Sequence, residues 1–460
     1  MAKWDKSSTK TIFICQQCGR ESSKWLGRCP TCQQWNSFIE KTVSMTSGSS
    51  KSISPLSPAQ ELSEVSTKAT NRFPLPLNEF NRVLGGGLVP GSLILISGDP
   101  GIGKSTLLLQ AAALVAQSQG KIVYVSGEET LHQIKLRAER LGITGKDLFL
   151  IAETDLNGIL TQIEELSLNL LIIDSIQAVY LNEAEATPGS ITQIRECTSR
   201  LMHWAKLSGV PTFIVGHVTK DGAIAGPRVL EHIVDVVLQL EGEAFSTYRL
   251  LRCIKNRFGS TNEIGVFEMK ENGLVEVDNP SQVFLSQRWD KAIGSAIVPV
   301  LEGSRPLLVE IQALTNPTSF GLPRRTANGV DFGRILLITA VLTRRAGLKL
   351  GNQDIIVNVT GGLKIGEPAA DLGIALAITS SFHDTGIDPQ MAVVGELGLS
   401  GELRAVPQIE RRVNEVARLG FKRCLLPKTS SKIKPAPKDI ELINVSTIKE
   451  AIKVGLTGKN

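Results

Sequence analysis

The chain contains a glycine-rich segment between an apolar run and a helix-forming run. Residues 98–105 read Gly-Asp-Pro-Gly-Ile-Gly-Lys-Ser and match the pattern G-x-x-x-x-G-K-[ST]. The apolar run 93–97 predicts a buried strand before the loop, and the Leu- and Ala-rich run 106–113 predicts a helix after it. In that order, backbone N–H groups converge on phosphate oxygens at the helix N-terminus. The sequence therefore predicts a site for ATP or ADP with Mg²⁺.

The loop pattern also predicts roles for individual side chains. We expect Lys104 to reach the β- and γ-phosphates and the Ser105 hydroxyl to bind Mg²⁺. The predicted nucleotide contacts are Gly98, Asp99, Pro100, Gly101, Ile102, Gly103, Lys104, Ser105 and Thr106.

Acidic residues follow two further predicted strands. The apolar run 170–174 ends in Asp174, where a buried carboxylate is costly unless it faces a metal site, so we expect Asp174 to hold Mg²⁺. The alternative is an Asp that caps a helix. Glu128 and Glu129 follow the run 121–126 at the sheet edge where ligands of α/β proteins bind. Either glutamate is a candidate to orient the attacking water, or an ordinary residue at a helix start.

The rest of the chain predicts several folded domains. With 460 residues, about two to four domains are expected, and 42% hydrophobic residues exclude wholesale disorder. A net charge of +5 permits contact with nucleic acid without requiring it. Alternating with helical stretches are five strand-like runs, which predict a parallel α/β sheet: 93–97, 121–126, 170–174, 212–216 and 235–240. A second α/β domain is predicted from strands at 296–300, 307–313 and 354–360 and helices at 331–346, 369–380 and 407–419.

Four of the seven cysteines lie within the first 32 residues. The pairs Cys15/Cys18 and Cys29/Cys32 each enclose two residues, and four thiolates at this spacing can meet at one tetrahedral Zn²⁺. The metal would supply the folding energy that so short a segment lacks. Whether this zinc finger contacts DNA or a partner protein is open. No apolar run is long enough to cross a bilayer and the first residues are too polar for a signal peptide, so we expect a cytoplasmic protein without membrane contact.

Two cationic residues lie at the end of the predicted strand that begins at Tyr248. Lys255 and Arg257 lie two residues apart, so on an extended chain both side chains point the same way. In a ring-shaped NTPase such a pair can reach the γ-phosphate bound by a neighbouring subunit. A solvated basic strand edge is the alternative.

In combination, these motifs closely resemble one family over nearly the whole chain. The clustered cysteines, the loop 98–105, the run ending at Asp174 and the pentapeptide Lys-Asn-Arg-Phe-Gly at 255–259 are similar to the bacterial RadA (Sms) DNA repair proteins. The resemblance implies an α/β fold with a RecA-like P-loop NTPase core, a small N-terminal zinc finger and a C-terminal Lon-protease-like α/β domain. The expected ranges are 1–42 for the zinc finger, 43–70 for a flexible linker, 71–278 for the RecA-like ATPase domain and 279–460 for the Lon-like domain.

The resemblance also implies an activity. RadA proteins are hexameric ATP-hydrolysing motors on single-stranded DNA that drive branch migration of recombination intermediates alongside RecA. By position, Asp174 is the Walker-B carboxylate, Glu128 the catalytic glutamate, and Lys255 and Arg257 the trans-acting cations. His217 corresponds to a γ-phosphate sensor, although a satisfied histidine at a strand end is the alternative. The loop 219–228, with Lys220 and Arg228, resembles a mobile DNA-binding loop.

The rear domain resembles Lon proteases without their nucleophile. Ala369 occupies the position of the Lon serine, and the lysine position falls near Glu410, so proteolysis is not expected. A ring-forming platform whose basic residues contact DNA phosphates is expected instead, with a solvated helix face as the alternative for Arg344 and Arg345. The candidate residues are Arg324, Arg325, Arg334, Arg344, Arg345 and Lys349. Two alternative functions for the whole chain are a nucleotide-switched scaffold on DNA without translocation and an ATP-dependent protease.

Overall fold

The computed structural model divides the chain into two compact units, Met1–Lys68 and Ala69–Asn460. The residues that it describes are 9–15, 21–22, 24–25, 27–28, 30, 35, 38–44, 61, 72–217, 229–242, 247–286, 288–289, 292–319, 321–428, 437 and 439–456.

The first unit contains a small antiparallel sheet. Its strands are β1 (Thr9–Cys15), β2 (Glu21–Ser22) and β3 (Phe38–Ser44), in the order β2-β1-β3. Phe13 pairs with Ser22, and Arg28 forms an antiparallel bridge with Trp35. Both β2 and β3 therefore run antiparallel to the central strand β1.

The first half of the larger unit is built on a nine-stranded sheet. Its elements are α1 (Asn78–Leu84), β4 (Leu93–Ser97), α2 (Lys104–Gln119), β5 (Ile122–Ser126), α3 (Leu131–Arg140), β6 (Leu148–Ala152), α4 (Leu156–Ile163), β7 (Leu170–Asp174), α5 (Ile191–Ser208), β8 (Thr212–Val215), β9 (Val236–Glu241), β10 (Tyr248–Asn256), β11 (Ile264–Lys270) and β12 (Gly273–Glu276). The strand order is β12-β11-β10-β9-β4-β8-β7-β5-β6.

The direction of the strands changes across this sheet. The strands β4 to β9 are mutually parallel, and the five predicted strands among them are confirmed to within a residue or two. Every residue of β4, β5, β7 and β8 is buried, as expected for parallel strands covered on both faces. From β10 onwards the pairing is antiparallel, so the sheet is mixed. Because the carboxyl ends of β4, β5, β7 and β8 share one edge, that edge collects the predicted nucleotide residues.

The second half of the larger unit surrounds a seven-stranded mixed sheet. Its elements are α6 (Pro280–Leu285), β13 (Ser295–Glu302), β14 (Arg305–Pro317), β15 (Arg325–Asn328), α7 (Phe332–Val341), β16 (Gln353–Val359), α8 (Asp371–His383), β17 (Met391–Val393), β18 (Glu396–Leu397), β19 (Leu403–Arg404), α9 (Ile409–Arg418), β20 (Arg423–Pro427), β21 (Glu441–Val445) and α10 (Ile448–Gly455). The sheet order is β15-β16-β14-β13-β17-β20-β21, and β18 pairs with β19 in a separate two-stranded sheet. The predicted strands and helices of this region are present, and the helix predicted at 331–346 ends in a π turn at Leu342–Ala346.

The two halves of the larger unit share a hydrophobic core and ion pairs. Leu250 and Val266 of the first half pack in one apolar cluster with strands and helices of the second. Arg252 pairs with Glu302 at 2.5 Å, and Arg305 pairs with the buried Glu79 at 2.5 Å. These contacts explain why residues 69–460 form one compact unit.

Candidate nucleotide-binding site

The loop 98–103 joins β4 to α2 with backbone angles that favour glycine. Gly98 and Gly103 have φ values of 146° and 113°. A Cβ atom on Gly98 would lie 2.3 Å from the carbonyl oxygen of Leu240, and one on Gly103 would lie 2.8 Å from Cε of Met269. The loop therefore passes so close to β9 and β11 that a larger residue at either position would displace it.

Lys104 begins α2 and is only 4% exposed. Its Nζ donates hydrogen bonds to the carbonyl oxygens of Gly98 at 2.8 Å and Asp99 at 3.0 Å. Burial lowers the pKa of Lys104, and the carboxylates of Asp174, Asp99 and Glu128 oppose that shift. The predicted lysine and the two predicted carboxylates, Asp174 and Glu128, thus come close enough to interact electrostatically.

Asp174 ends β7 and is 8% exposed. The hydroxyl of Tyr124 on the neighbouring strand β5 donates a hydrogen bond to its Oδ2. Burial and the adjacent carboxylate raise the pKa of Tyr124 well above its usual value, so this phenol stays protonated and remains a donor. The bond fixes the orientation of a carboxylate that the sequence assigns to Mg²⁺.

The two neighbouring glutamates after β5 lie in different environments. Glu128 Oε1 accepts a hydrogen bond from the Ser175 hydroxyl and lies 3.5 Å from Nε2 of His217. Glu129 instead forms an ion pair with Arg137. Glu128 is therefore the glutamate that the structure places beside the predicted γ-phosphate sensor.

The donor set fits a magnesium nucleotide. Backbone N–H groups at the start of a 16-residue helix and a buried ammonium group suit phosphate oxygens. The Ser105 hydroxyl and the Asp174 carboxylate offer the hard oxygen ligands that Mg²⁺ prefers.

Two of the residues around this site, Tyr124 and Ser175, were not predicted from the sequence. Tyr124 is a polar-tipped residue between aliphatic residues of a buried strand, a signal that it needs a hydrogen-bond partner. Ser175 directly follows Asp174, but its partner Glu128 lies 47 residues away in the sequence.

Lys255 and Arg257 both contact the segment 231–235. The Lys255 ammonium donates to the carbonyl oxygens of Glu231 at 2.5 Å and Val234 at 2.8 Å. Arg257 lies 3.4 Å from the carboxylate of the buried Asp235, which also pairs with Lys206 at 2.9 Å. The Arg257 side chain is exposed. The two cations thus contact one segment, although β10 ends at Asn256, so that Arg257 lies beyond the extended strand on which the prediction was based.

The basic residues predicted to contact DNA differ in their exposure and in their hydrogen bonds. Arg344 and Arg345 are exposed in the π turn after α7, and Arg345 also donates to the carbonyl of Leu399 at 3.2 Å. Arg325 donates to backbone carbonyls of Gln353 and Leu350, and Arg324 is exposed. Lys220 and Arg228 lie outside the described residues.

Arg334 has a structural partner. It forms two hydrogen bonds, at 2.6 and 2.5 Å, with the buried carboxylate of Asp371 at the start of α8. The prediction that Arg334 lines a phosphate channel is therefore wrong, because its guanidinium neutralises a buried charge.

Of the two Lon-like positions, Ala369 is buried and Glu410 is exposed in the first turn of α9. Ala369 is buried in an apolar cluster with Ile297 and Val413. Nearby, the buried Arg412 pairs with Glu367 at 2.6 Å and donates to the carbonyl of Pro299 at 2.7 Å. The Ser380 hydroxyl donates to the carbonyl of Thr385 and accepts from the amide of Gly294. These hydrogen bonds and the ion pair connect separate elements of the rear domain.

Of the four clustered cysteines, Cys15 ends β1, and Cys18, Cys29 and Cys32 lie outside the described residues. Four thiolates form a donor set that suits Zn²⁺.

Known protein families match three regions of the chain, and individual relatives match nearly its whole length. A family described as Rubredoxin metal binding domain matches residues 13–40, which include all four clustered cysteines. A family described as AAA domain matches residues 58–223, and one described as Subunit ChlI of Mg-chelatase matches residues 321–430. A protein named DNA repair protein RadA from Halalkalibacterium halodurans is 52% identical over 97% of this chain and 99% of its own length. Proteins of the same name from Bacillus subtilis and Listeria monocytogenes are 50% and 49% identical over 98% of this chain, and over 100% and 99% of their own lengths.

The chain belongs to the RadA family of DNA repair proteins. Membership confirms the resemblance inferred from the motifs, and the matched regions confirm the predicted fold class. That class combines an N-terminal metal-binding ribbon, a P-loop core of the AAA type and a rear α/β domain. Among the described residues, none of the helices has the length and hydropathy to span a membrane.

Proposed function

We propose that this RadA-family protein is a DNA-dependent ATPase and motor in recombinational DNA repair. It binds single-stranded DNA and branched recombination intermediates, and drives branch migration together with RecA. The observation that carries the proposal is the contact of Glu128 with His217, beside Lys104 and Asp174 and directly before the predicted DNA-binding loop 219–228. This arrangement supports a link between the terminal phosphate of ATP and the loop.

The chemistry follows from the positions of the side chains. Lys104 and the loop amides bind the triphosphate, and Ser105 and Asp174 would hold Mg²⁺, which supplies charge neutralisation when it is bound. Glu128 orients the attacking water and accepts its proton, and Ser175 fixes the Glu128 carboxylate for that task. His217 reports on the terminal phosphate through its contact with Glu128.

Assembly would complete the site. In a homo-hexamer, Lys255 and Arg257 of one copy reach the γ-phosphate bound by the next, where they stabilise charge in the transition state. Both already contact the segment that follows the predicted DNA-binding loop, so movement of either cation would shift that segment. DNA phosphates would be contacted by Lys220 and Arg228, and by Arg324, Arg325, Arg344 and Arg345 of the rear domain.

We infer the following division of labour among the regions. Residues 1–42 bind Zn²⁺ through Cys15, Cys18, Cys29 and Cys32, and residues 43–70 connect this finger to the ATPase domain at 71–278. Residues 279–460 form a platform for the ring, and the buried Ala369 at the position of the Lon serine argues against proteolysis.

The test measures ATP hydrolysis with and without single-stranded DNA and then branch migration. Lys104→Ala should abolish turnover, and Glu128→Gln should lower kcat about 100-fold or more while ATP still binds. Glu129→Gln is the matched control, because the neighbouring glutamate pairs with Arg137 and should not affect kcat strongly. Strong stimulation by DNA that Lys104→Ala removes supports the motor.

The scaffold alternative gives a different result in the same experiment. Slow hydrolysis that is indifferent to DNA, with DNA binding that still requires ATP, would replace the motor with an ATP-switched scaffold. Equal kcat losses for Glu128→Gln and Glu129→Gln would refute the assignment of Glu128.

A further inference from the structure

Arg249 is a buried arginine on β10 that contacts the phosphate-binding loop. Its side chain is 9% exposed. Nε donates a hydrogen bond to the carbonyl oxygen of Ile102 at 3.2 Å, and Nη1 donates to the carbonyl oxygen of Tyr248 at 2.9 Å. Ile102 lies in the loop between Gly101 and Gly103. A cation 147 residues further along the chain therefore holds one peptide group of the loop.

The bond to Ile102 sets the direction of the next amide. In a trans peptide, the carbonyl group of one residue and the N–H group of the following residue point in opposite directions. Because the Ile102 carbonyl points at Arg249, the N–H group of Gly103 points away from β10. Among the residues that the structure describes, none accepts a hydrogen bond from this N–H group. Loops of the pattern G-x-x-x-x-G-K-[ST] bind phosphate oxygens through such N–H groups, so the Gly103 amide is available to a phosphate.

Without an anchor, this peptide group would rotate easily. Gly103 has a φ value of 113°, and glycine adopts positive and negative φ values about equally well. A rotated peptide would present the Ile102 carbonyl oxygen to the phosphates instead of the Gly103 N–H group, and the negative end of its dipole would repel them. The bond from Arg249 opposes that rotation, because breaking it would leave a buried donor without this partner.

The arginine is itself held in place. Its strand β10 pairs with β9 on one side and with β11 on the other. Arg252 of the same strand pairs with Glu241 at 2.7 Å and with Glu302 at 2.5 Å. A Cβ atom on Gly242 would lie 2.6 Å from Cδ of Arg249, so the backbone closely covers the arginine side chain. A side chain supported in this way can hold a loop in one geometry.

We propose that Arg249 is a positioning residue of the nucleotide site, which keeps the peptide between Ile102 and Gly103 in the orientation that binds phosphate. It acts through the loop and not by contact with the nucleotide. The proposal rests on the proposed function only in taking a nucleoside triphosphate as the ligand of this loop. The Gly103 N–H group would bind phosphate in the ground state and in the transition state alike. Loss of its orientation should therefore weaken binding more than it lowers turnover at saturation.

The experiment measures the Kd of ATP and of inorganic tripolyphosphate by competition against a fluorescent nucleotide. It uses the full chain with Mg²⁺ and without DNA, so its outcome is independent of the motor. Arg249→Met should raise both Kd values by the same factor, about tenfold, because tripolyphosphate shares only the phosphates with ATP. The value of kcat at saturating ATP should fall by less than about threefold.

A second variant preserves the test if Arg249→Met does not fold. Arg249→Lys keeps the charge but loses the planar group that bonds two carbonyl oxygens at once. We expect it to raise both Kd values about threefold.

Arg412→Lys is the matched control. Arg412 is a buried arginine of the rear domain that also donates to a carbonyl oxygen, that of Pro299 at 2.7 Å. Its replacement should lower Tm and leave both Kd values unchanged. Lys104→Ala should weaken both ligands, and binding that this variant leaves unchanged would count against the nucleotide site itself rather than against Arg249.

Three results would overturn the proposal. Unchanged Kd values in the Arg249 variants, with only a lowered Tm, would reduce Arg249 to a packing role. A much larger increase in Kd for ATP than for tripolyphosphate would place its effect on the ribose or base. A loss of kcat with unchanged Kd values would place its effect in the chemical step.

Discussion

Tyr124 donates a hydrogen bond to the carboxylate of Asp174, and both side chains are buried at the carboxyl edge of the nine-stranded sheet. The two strands that carry them are neighbours, and Tyr124 pairs in register with Ile172, two residues before Asp174. Oδ2 of Asp174 thus accepts a hydrogen bond from within the protein, and this bond orients the other carboxylate oxygen. We therefore expect Tyr124 to position the carboxylate that is proposed to hold Mg²⁺.

Removing this hydroxyl should weaken the hold on Mg²⁺. For Tyr124→Phe we expect the Mg²⁺ concentration that half-saturates nucleotide binding to rise about threefold to tenfold, since such a hydrogen bond contributes about 1 kcal/mol. A Mg²⁺ titration of fluorescent-nucleotide binding measures this directly. Tyr180→Phe, at a half-buried tyrosine away from Asp174, is the control. A Tyr124→Phe protein with an unchanged Mg²⁺ titration and only a lowered Tm would make the tyrosine purely structural.

The cations of the pentapeptide 255–259 should be separable from the fold. We expect Arg257→Ala to lower the free energy of unfolding by less than about 1 kcal/mol, because the arginine of the Arg257–Asp235 pair is exposed to solvent. Asp235 also keeps Lys206 at 2.9 Å. DNA-stimulated hydrolysis and branch migration should be lost in Arg257→Ala and in Lys255→Ala. Strand-exchange gels and thermal melts measure the two effects, and normal branch migration by Lys255→Ala would count heavily against the trans-acting role.

Lys104 should lower the stability of the nucleotide-free protein. Burial lowers its pKa below the unfolded value, so the unfolded state binds the proton more tightly, and stability rises with pH between the two values. At neutral pH the buried ammonium is therefore a cost. We expect Lys104→Met to raise Tm by about 2–4 °C without nucleotide and to abolish the increase that ATP gives the native protein. Lys135→Met, at an exposed residue of α3, should do neither; a large fall in Tm for Lys104→Met would show that its two carbonyl bonds outweigh desolvation.

The Arg334–Asp371 pair predicts a pH-dependent loss of stability. Burial raises the pKa of Asp371 and Arg334 opposes that shift, so removing the arginine raises this pKa further. With a folded pKa above the unfolded value, stability falls as pH rises between them. Arg334→Ala should cost about 3 kcal/mol at pH 8 and less at pH 5. Thermal melts at the two pH values test this, with Arg344→Ala as an exposed control. A loss that persists unchanged in Arg334→Ala/Asp371→Asn would place its cause outside this ion pair.

The zinc prediction can be tested apart from the ATPase. Cys29→Ala should lose bound zinc in a colorimetric metal assay while the melt of the unit 69–460 stays unchanged, since residues 1–68 form a separate unit. Cys424→Ala is the control. Burial raises the pKa of the Cys424 thiol to about 12, so this cysteine stays protonated and should contribute nothing to zinc binding. Full zinc content in Cys29→Ala would exclude that residue as a ligand.

Contiguous signals in the sequence predicted the architecture well. The loop 98–105 and the apolar runs around it are local patterns, because the residues that make a strand or a loop are neighbours in the chain. The same holds for the parallel strands that end in Asp174 and before Glu128. The change to antiparallel pairing after β9 was not predicted, because direction depends on how connections cross the sheet rather than on the composition of a strand.

The sequence by itself determined the P-loop, the four-cysteine pattern, the buried strands and the family. The tertiary structure alone decided which polar groups meet: Tyr124 with Asp174, Ser175 with Glu128, Arg334 with Asp371, and Arg412 with Glu367. These partners lie tens of residues apart, and strand order brings them together where a buried polar group must find a partner. Because of this requirement, Arg334, which was predicted to contact DNA, instead neutralises a buried aspartate. No local sequence pattern indicates this pairing.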